Sequence, residues 1–303
     1  MRFTPGRCID GCAEAPRRTE LINMEGTRPM TLDTQTADPS QRYEAIVRQL
    51  SMVTFPWDIE KSLEFALYRT YAVPAISKVL LHSGQFLKAT QKRYDDTELL
   101  LAYPVEHGLN SDTGQQAIER INAMHHRYRI NNDLYLYVLS TFVFEPIRWL
   151  ERFGWRPMND NEQQAWFLYY RALGEKMKIQ EIPETLEAFE AFNRRFEQER
   201  FEYHIANTRI ASVTRDLLLS FYLPRWAIPA GRPAIYAMLD DGLREAFQYP
   251  KAPKALETFL NTSLTLRARL LRWLPKNKKE KSILKRKRKT YPMGYAIDDL
   301  GSL

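Results

Sequence analysis

A chain of 303 residues with 44% hydrophobic and 12% aromatic content is long enough to bury a substantial core. Its 12 Gly and two Cys exclude a collagen-like chain, a disulfide framework and a zinc cluster. The net charge of +7, from 44 Lys and Arg against 37 Asp and Glu, invites a nucleic acid or a membrane surface as partner, depending on where the charge sits.

Residues 1–40 are polar and irregular, with Pro5, Gly6, Pro16, Gly26 and Pro29 scattered through them. They read as a disordered lead without the apolar region of a signal peptide. Cys8 and Cys12 lie inside it with no His or further Cys nearby, a poor metal site. From Gln41 a helical period takes over, with Tyr43, Ile46, Val47 and Leu50 on one face, then Leu63, Phe65, Ala66 and Tyr68. Thr70 to Gly84 continues the pattern toward a glycine cap. Gln116 to Ile130 and Leu134 to Glu145 follow, the second capped by Asp133 and expected to end or kink at Pro146. Later periods predict helices over 160–177, 185–200, 207–222 and 233–247. Strand alternation is scarce and no repeat of 20–50 residues appears. The prediction is an all-α fold in one domain, 41–275.

The chain ends in a basic tail, 276–303. Between Leu266 and Thr290 twelve Lys or Arg face one acid, Glu280, so the rest of the chain carries −4. Such a block is predicted to be solvated and flexible. Just before it, Leu264, Leu266, Leu270, Leu271, Trp273 and Leu274 are interleaved with Arg267, Arg269 and Arg272, an amphipathic pattern that suits an anionic membrane surface. No zinc finger or basic zipper accompanies it, so nucleic acid is not expected. No apolar run reaches the roughly 18 residues a spanning helix needs. The expected location is the cytoplasm, peripheral at a membrane.

The five histidines are His82, His107, His125, His126 and His204. In the Gln116 helix, Ala117, Ile118, Ile121, Met124 and Tyr128 form an apolar stripe, and His125 falls within it. His126 falls about 100° further round, on the wetter side. An imidazole on an apolar face is either a satisfied core residue or the arrangement a haem iron wants. Glu145, at the end of an almost wholly apolar helix, reads either as an ion pair with Arg148 or as a carboxylate orienting that imidazole. Arg93 and Thr97, spaced i, i+4 with Asp96 beside them, share a helix face, where Arg suits a carboxylate. Phosphate loops, dinucleotide fingerprints, His-Glu-x-x-His and nucleophile elbows are missing, which removes most hydrolase and kinase chemistry.

Arg93-Tyr-Asp-Asp-Thr97, Arg120-Ile-Asn-Ala-Met-His125 and Tyr137-Val-Leu-Ser-Thr-Phe-Val-Phe-Glu145 resemble the ER-bound oxygenase MpaB and rubber oxygenase (latex-clearing protein) catalytic domain family. Glu151-Arg-Phe-Gly154 and the helix from Leu239 to Phe247 continue the resemblance, over roughly 55–250. It implies a globin-like helical core that binds haem b and activates dioxygen. His125 then matches the proximal iron ligand, Arg93 and Thr97 the residues close to the haem, and Arg244 a further Arg of the family. Asp96 stands where rubber oxygenases can carry a distal Lys. Fungal members have an amino-terminal membrane anchor, for which the basic amphipathic tail is expected to substitute. The expectation is a haem-dependent oxygenase acting with dioxygen on a small apolar, unsaturated substrate. A non-catalytic membrane-peripheral helical module and a cofactor-free enzyme acting on lipid stay open beside it.

Overall fold

The apolar periods close into helices whose stripes face one another in a computed structural model that describes residues 32–275 and 279–301. Among the described residues there are thirteen α-helices and no strands. These are α1 (Pro39–Gln49), α2 (Pro56–Thr70), α3 (Pro74–His82), α4 (Gln85–Lys88), α5 (Thr90–His107), α6 (Asp112–His125) and α7 (Asn132–Phe153). They continue with α8 (Asp160–Lys176), α9 (Leu186–Arg200), α10 (Ile205–Ser220), α11 (Ile228–Met238), α12 (Asp241–Phe247) and α13 (Lys254–Trp273). The fold is all-α. None of the helices is long and apolar enough to cross a membrane, over the described residues.

Packing follows the stripes: α2 lies along α7, α1 along α8, α5 along α6 and α10 against α3. The main core gathers Ile46, Val47 and Leu50 with Val143, Trp166, Phe167 and Phe189. Local signals set most helix starts. Asn159 and Glu162 form a reciprocal capping box at α8, while Thr185 and Asp240 cap α9 and α12. Asp240 thereby divides the predicted 233–247 helix into α11 and α12, and Pro74 divides 70–84 by opening α3 at its first turn. Gly84 has φ +66°, the left-handed conformation expected of a glycine there.

Two helices differ from prediction for visible reasons. Helix α7 runs through Pro146 to Phe153. A proline deprives the carbonyl four residues earlier of its donor. Here that carbonyl, of Phe142, accepts from the Trp166 indole N–H at 3.0 Å, so the helix continues at no cost in unpaired groups. Helix α6 stops at His125 rather than Ile130, and the chain turns back through Tyr128 N–H to the His125 carbonyl at 3.0 Å. The stripe therefore delivers His125 on the last residue of a helix.

The lead predicted to run to residue 40 is in place from residue 32. Thr34 is buried and donates to Glu162 at 2.6 Å, and Asp38 caps α1. Residues 1–31, with Cys8 and Cys12, lie outside the described residues.

The basic tail is not a solvated run over 279–301. The Glu106 carboxylate accepts from Ser282 Oγ at 2.5 Å, Ile283 N at 2.6 Å and Leu284 N at 3.1 Å. Arg286 pairs with Glu60 at 2.6 Å, and Arg288 with Glu98 at 2.5 Å and Asp95 at 3.2 Å. Further on, Tyr291 donates to Asp96 and Arg120 to the Leu300 carbonyl. Ile297 and Leu300 are buried with Leu99, Leu100, Ala117 and Ile121. Through the turn at Leu284 and Lys285 and the irregular chain that follows, Arg286 and Arg288 turn inward, while Lys285, Lys287 and Lys289 stay exposed. The acids of α2 and α5, scattered in sequence, converge into a face that a flexible tail would leave uncompensated.

Candidate functional site: an apolar cavity around His125

A cavity of about 280 Å³ lies among α2, α3, α5, α6, α7, α8 and α10. Its wall is mostly apolar, including Leu67, Ile76, Leu100, Ile121, Val138 and Phe142. Of the five histidines only His125 lines it. The imidazole sits 5.2 Å, centroid to centroid, from the Tyr135 ring, and neither ring nitrogen makes a hydrogen bond among the described residues. Burial first, then the positive charge of Arg93 and the neighbouring His126, pull its pKa down to about 4. At neutral pH it is therefore an uncharged imidazole with lone-pair donor capacity facing an apolar space.

Among the described residues Arg93, on α5, is the only Lys or Arg in the wall. Its guanidinium lies 5.6 Å from the centroid of the Phe86 ring and has no carboxylate partner among the described residues. Such a cation, held against apolar groups, is poised for an anionic group brought by a ligand. One turn on, the Thr97 hydroxyl donates to the Arg93 carbonyl at 2.8 Å, which leaves its oxygen as an acceptor toward the cavity. Thus the fold brings together His125, Arg93 and Thr97 from two helices that pack side by side.

Glu145 and Arg244 stand elsewhere, together, in a polar cleft with Arg69, Arg148, Glu197 and Glu257. Glu145 pairs with Arg148 at 3.0 Å and Arg69 at 3.6 Å. It does not line the cavity and, among the described residues, makes no hydrogen bond to His125. Arg244 donates to the carbonyls of Tyr236 (3.2 Å) and Leu239 (2.5 Å) and pairs with Asp241, closing the end of α11. The physical reason is position along the helix: Glu145 falls on nearly the same side of α7 as Val138, but about 10 Å further along the axis, where its neighbours are Arg148 and Arg69 of α2, while the cavity takes Tyr135, Val138, Leu139 and Phe142 from the earlier turns.

Two carboxylates also belong to the wall, Asp96, noted in the sequence beside Arg93 and Thr97, and Glu64, which was not. Asp96 is buried and spoken for by Lys92 at 2.8 Å and by Tyr291. Glu64 accepts from Tyr94 Oη at 2.6 Å and Lys61 Nζ at 2.7 Å, and burial raises its pKa despite Lys61. Nothing local marks Glu64 in the sequence, since α2 also carries Asp58, Glu60, Lys61 and Arg69.

A pH dependence follows from His125. Its folded pKa lies below its unfolded value, so between about pH 6.5 and pH 4 the unfolded chain binds a proton that the folded chain refuses. Stability should fall as pH drops through that window, by on the order of 1–2 kcal/mol at pH 5 for the cofactor-free protein. Urea unfolding of wild type and His125→Gln at pH 7 and pH 5 checks this. The wild type alone should show that part of the loss, and equal losses would contradict it.

The family described as ER-bound oxygenase mpaB/B'/Rubber oxygenase, catalytic domain, matches residues 65–273. The chain belongs to this family. The match spans the cavity helices from α2 onward and extends through α13. The ER-bound oxygenase mpaB' of Penicillium brevicompactum is 30% identical over 250 residues, covering 76% of this chain and 58% of the relative. The ER-bound oxygenase mpaB of Penicillium roqueforti is 30% identical over 223 residues, 67% of this chain and 74% of the relative. That of Penicillium brevicompactum is 35% identical over 143 residues, 44% of this chain and 36% of the relative. The chain thus spans little more than half the length of the first of these relatives.

Proposed function

We propose that this chain is a haem b-dependent oxygenase that acts with dioxygen on a small apolar, unsaturated substrate, and that it works peripherally at a cytoplasmic membrane surface. The observation that carries the haem assignment is a neutral imidazole without hydrogen bonds sharing one apolar cavity with an unpaired guanidinium. The donor set fits: an uncharged nitrogen for iron, a cation for a propionate, and apolar walls for the macrocycle. No cluster of three or more His, Cys, Asp or Glu donors able to hold a bare metal ion occurs among the described residues. A macrocycle brings its own equatorial ligands, so one protein donor suffices. The oxygenase names of the relatives support the reaction class, and their description as ER-bound supports the membrane location.

When bound, haem supplies the redox chemistry with dioxygen. The protein's own part is positional. His125 presents its unprotonated nitrogen because burial keeps the proton off. Arg93 neutralises and orients a carboxylate, and Thr97 accepts a hydrogen bond beside it. Leu67, Ile76, Val138 and Phe142 give an apolar substrate a dry place and keep water from competing. Glu64, with Tyr94 and Lys61 at hydrogen-bond distance, is the group at the wall able to hold a proton.

The test is spectroscopic. Protein made in cells supplied with a haem precursor should carry a Soret band and stoichiometric haem by pyridine haemochrome assay. Wild type without haem under those conditions would end the haem assignment.

A further inference from the structure

Helix α13 leaves a continuous line of apolar surface uncovered. Phe259, Leu266, Leu270 and Trp273 are 64%, 54%, 57% and 86% exposed. At about 100° per residue these four fall within a sector of some 60°, a single stripe along about 21 Å of helix. The opposite face holds the helix to the body. Ala268 is buried, Arg267 pairs with the buried Asp58 at 2.9 Å and covers the Trp57 ring at 3.9 Å, and Leu264 packs on the main core. The apolar residues that the sequence alternation grouped together are thus divided, and the outward set is the one left without a partner.

Charge says what should cover it. From Thr258 to Lys279 the sequence contains no acid, and Arg269 borders the stripe on one side with Arg272 further round, both exposed. The helix end and the start of the basic strap are tied to one turn of the chain. Arg272 donates to the Trp155 carbonyl, the Trp155 indole to the Thr54 carbonyl, and Lys281 N–H to the Met52 carbonyl. Beyond it Lys281, Lys285, Lys287 and Lys289 are exposed and make no ion pair among the described residues, because the strap's arginines take up the body's acids. An apolar stripe with Trp at its end, bordered by cations and free of acids, has the build of a helix lying in the plane of an anionic lipid surface.

Resting on the membrane-peripheral part of the proposed function, we propose that α13 is the docking element: its outward stripe enters the headgroup boundary of an anionic membrane, and the strap lysines hold the surface electrostatically. The arginines of the tail do not contribute, since Arg286 and Arg288 are spent inside the fold.

The experiment is co-sedimentation of the full chain with vesicles of phosphatidylcholine alone and of phosphatidylcholine mixed with phosphatidylserine. Wild type should partition onto the mixed vesicles and be released by salt. Leu270→Ser with Trp273→Ser should weaken partitioning by tenfold or more at every salt concentration, since two large apolar side chains no longer enter the boundary. Lys285→Gln with Lys287→Gln should weaken it by about fivefold per charge and flatten the salt dependence. These four positions are exposed, so circular dichroism melts should match wild type. If wild type binds neither vesicle, the membrane-peripheral part of the function falls with the docking face. Should wild type bind and the Leu270/Trp273 variant bind equally, only the α13 assignment falls. A wild-type dimer that the Leu270/Trp273 variant dissociates, with vesicle binding unchanged, would make the stripe an interface between copies and overturn the proposal.

Discussion

Replacing His125 with Ala is expected to abolish the Soret band of protein prepared with haem precursor while leaving the far-ultraviolet helical signal intact. The separation of the two readouts follows from the residue's surroundings. His125 is the last residue of α6, makes no side-chain hydrogen bond among the described residues, and touches one ring, that of Tyr135. Its loss therefore leaves no orphaned buried partner, and truncation costs the fold little. Loss of the nitrogen leaves the cavity without an imidazole donor. Arg93→Leu should act differently, weakening haem retention about tenfold to a hundredfold without erasing the band, as expected for one charge-assisted hydrogen bond. Glu145→Gln, in the separate polar cleft, should not alter the band. A normal Soret band in His125→Ala would place the ligand on another residue.

The largest effect on stability is expected at Arg288, in the strap. Its side chain is 10% exposed and lies between Asp95 and Glu98, themselves 3% and 13% exposed. Burial already pushes the Glu98 carboxyl above its ordinary range, with Arg288 pulling it back down. Removing the guanidinium leaves Asp95 with the neutral donors Thr290 and Gln91, and Glu98 with Arg286 at 3.7 Å, a change that costs about 3–5 kcal/mol. For a chain of this size that lowers Tm by roughly 6–15 °C. Lys287→Ala, one residue away and exposed, should be neutral to within about 0.5 kcal/mol. A calorimetric scan of both variants decides it. Equal melts would mean that the strap rests on the body without holding it.

The contrast between Arg288 and Lys287 shows where the sequence was legible. A run of five basic residues, Lys285 to Lys289, looks uniform by composition. Its division into inward and outward charges depends on the turns of the strap and on acids supplied by α2 and α5. Those acids, Glu60, Asp95, Asp96, Glu98 and Glu106, are spread over nearly fifty positions, and nothing local marks them as one face. Helix starts, by contrast, were readable because their causes are local: a cap, a box, a proline in the first turn. Pro146 misled for the opposite reason. Its consequence was cancelled by Trp166, twenty residues downstream on another helix.

The site divides in the same way. His125 was accessible from its stripe, and Arg93 with Thr97 from their i, i+4 spacing and their likeness to a family pattern. Glu145 and Arg244 looked equivalent to them in sequence, a carboxylate and a cation in apolar helices. Only the placement of α7 and α12 put them in a different cleft, because which stretch of a buried helix meets the cavity is set by its neighbours. Glu64 was passed over because a single carboxylate in a helix has no sequence signature of function. By itself the sequence determined the all-α class, most of the helices, and a histidine on an apolar face. Tertiary structure alone decided which side chains share a cavity and which cations remain for the solvent. Both of those depend on long-range packing, where burial and pairing are settled between elements rather than within them.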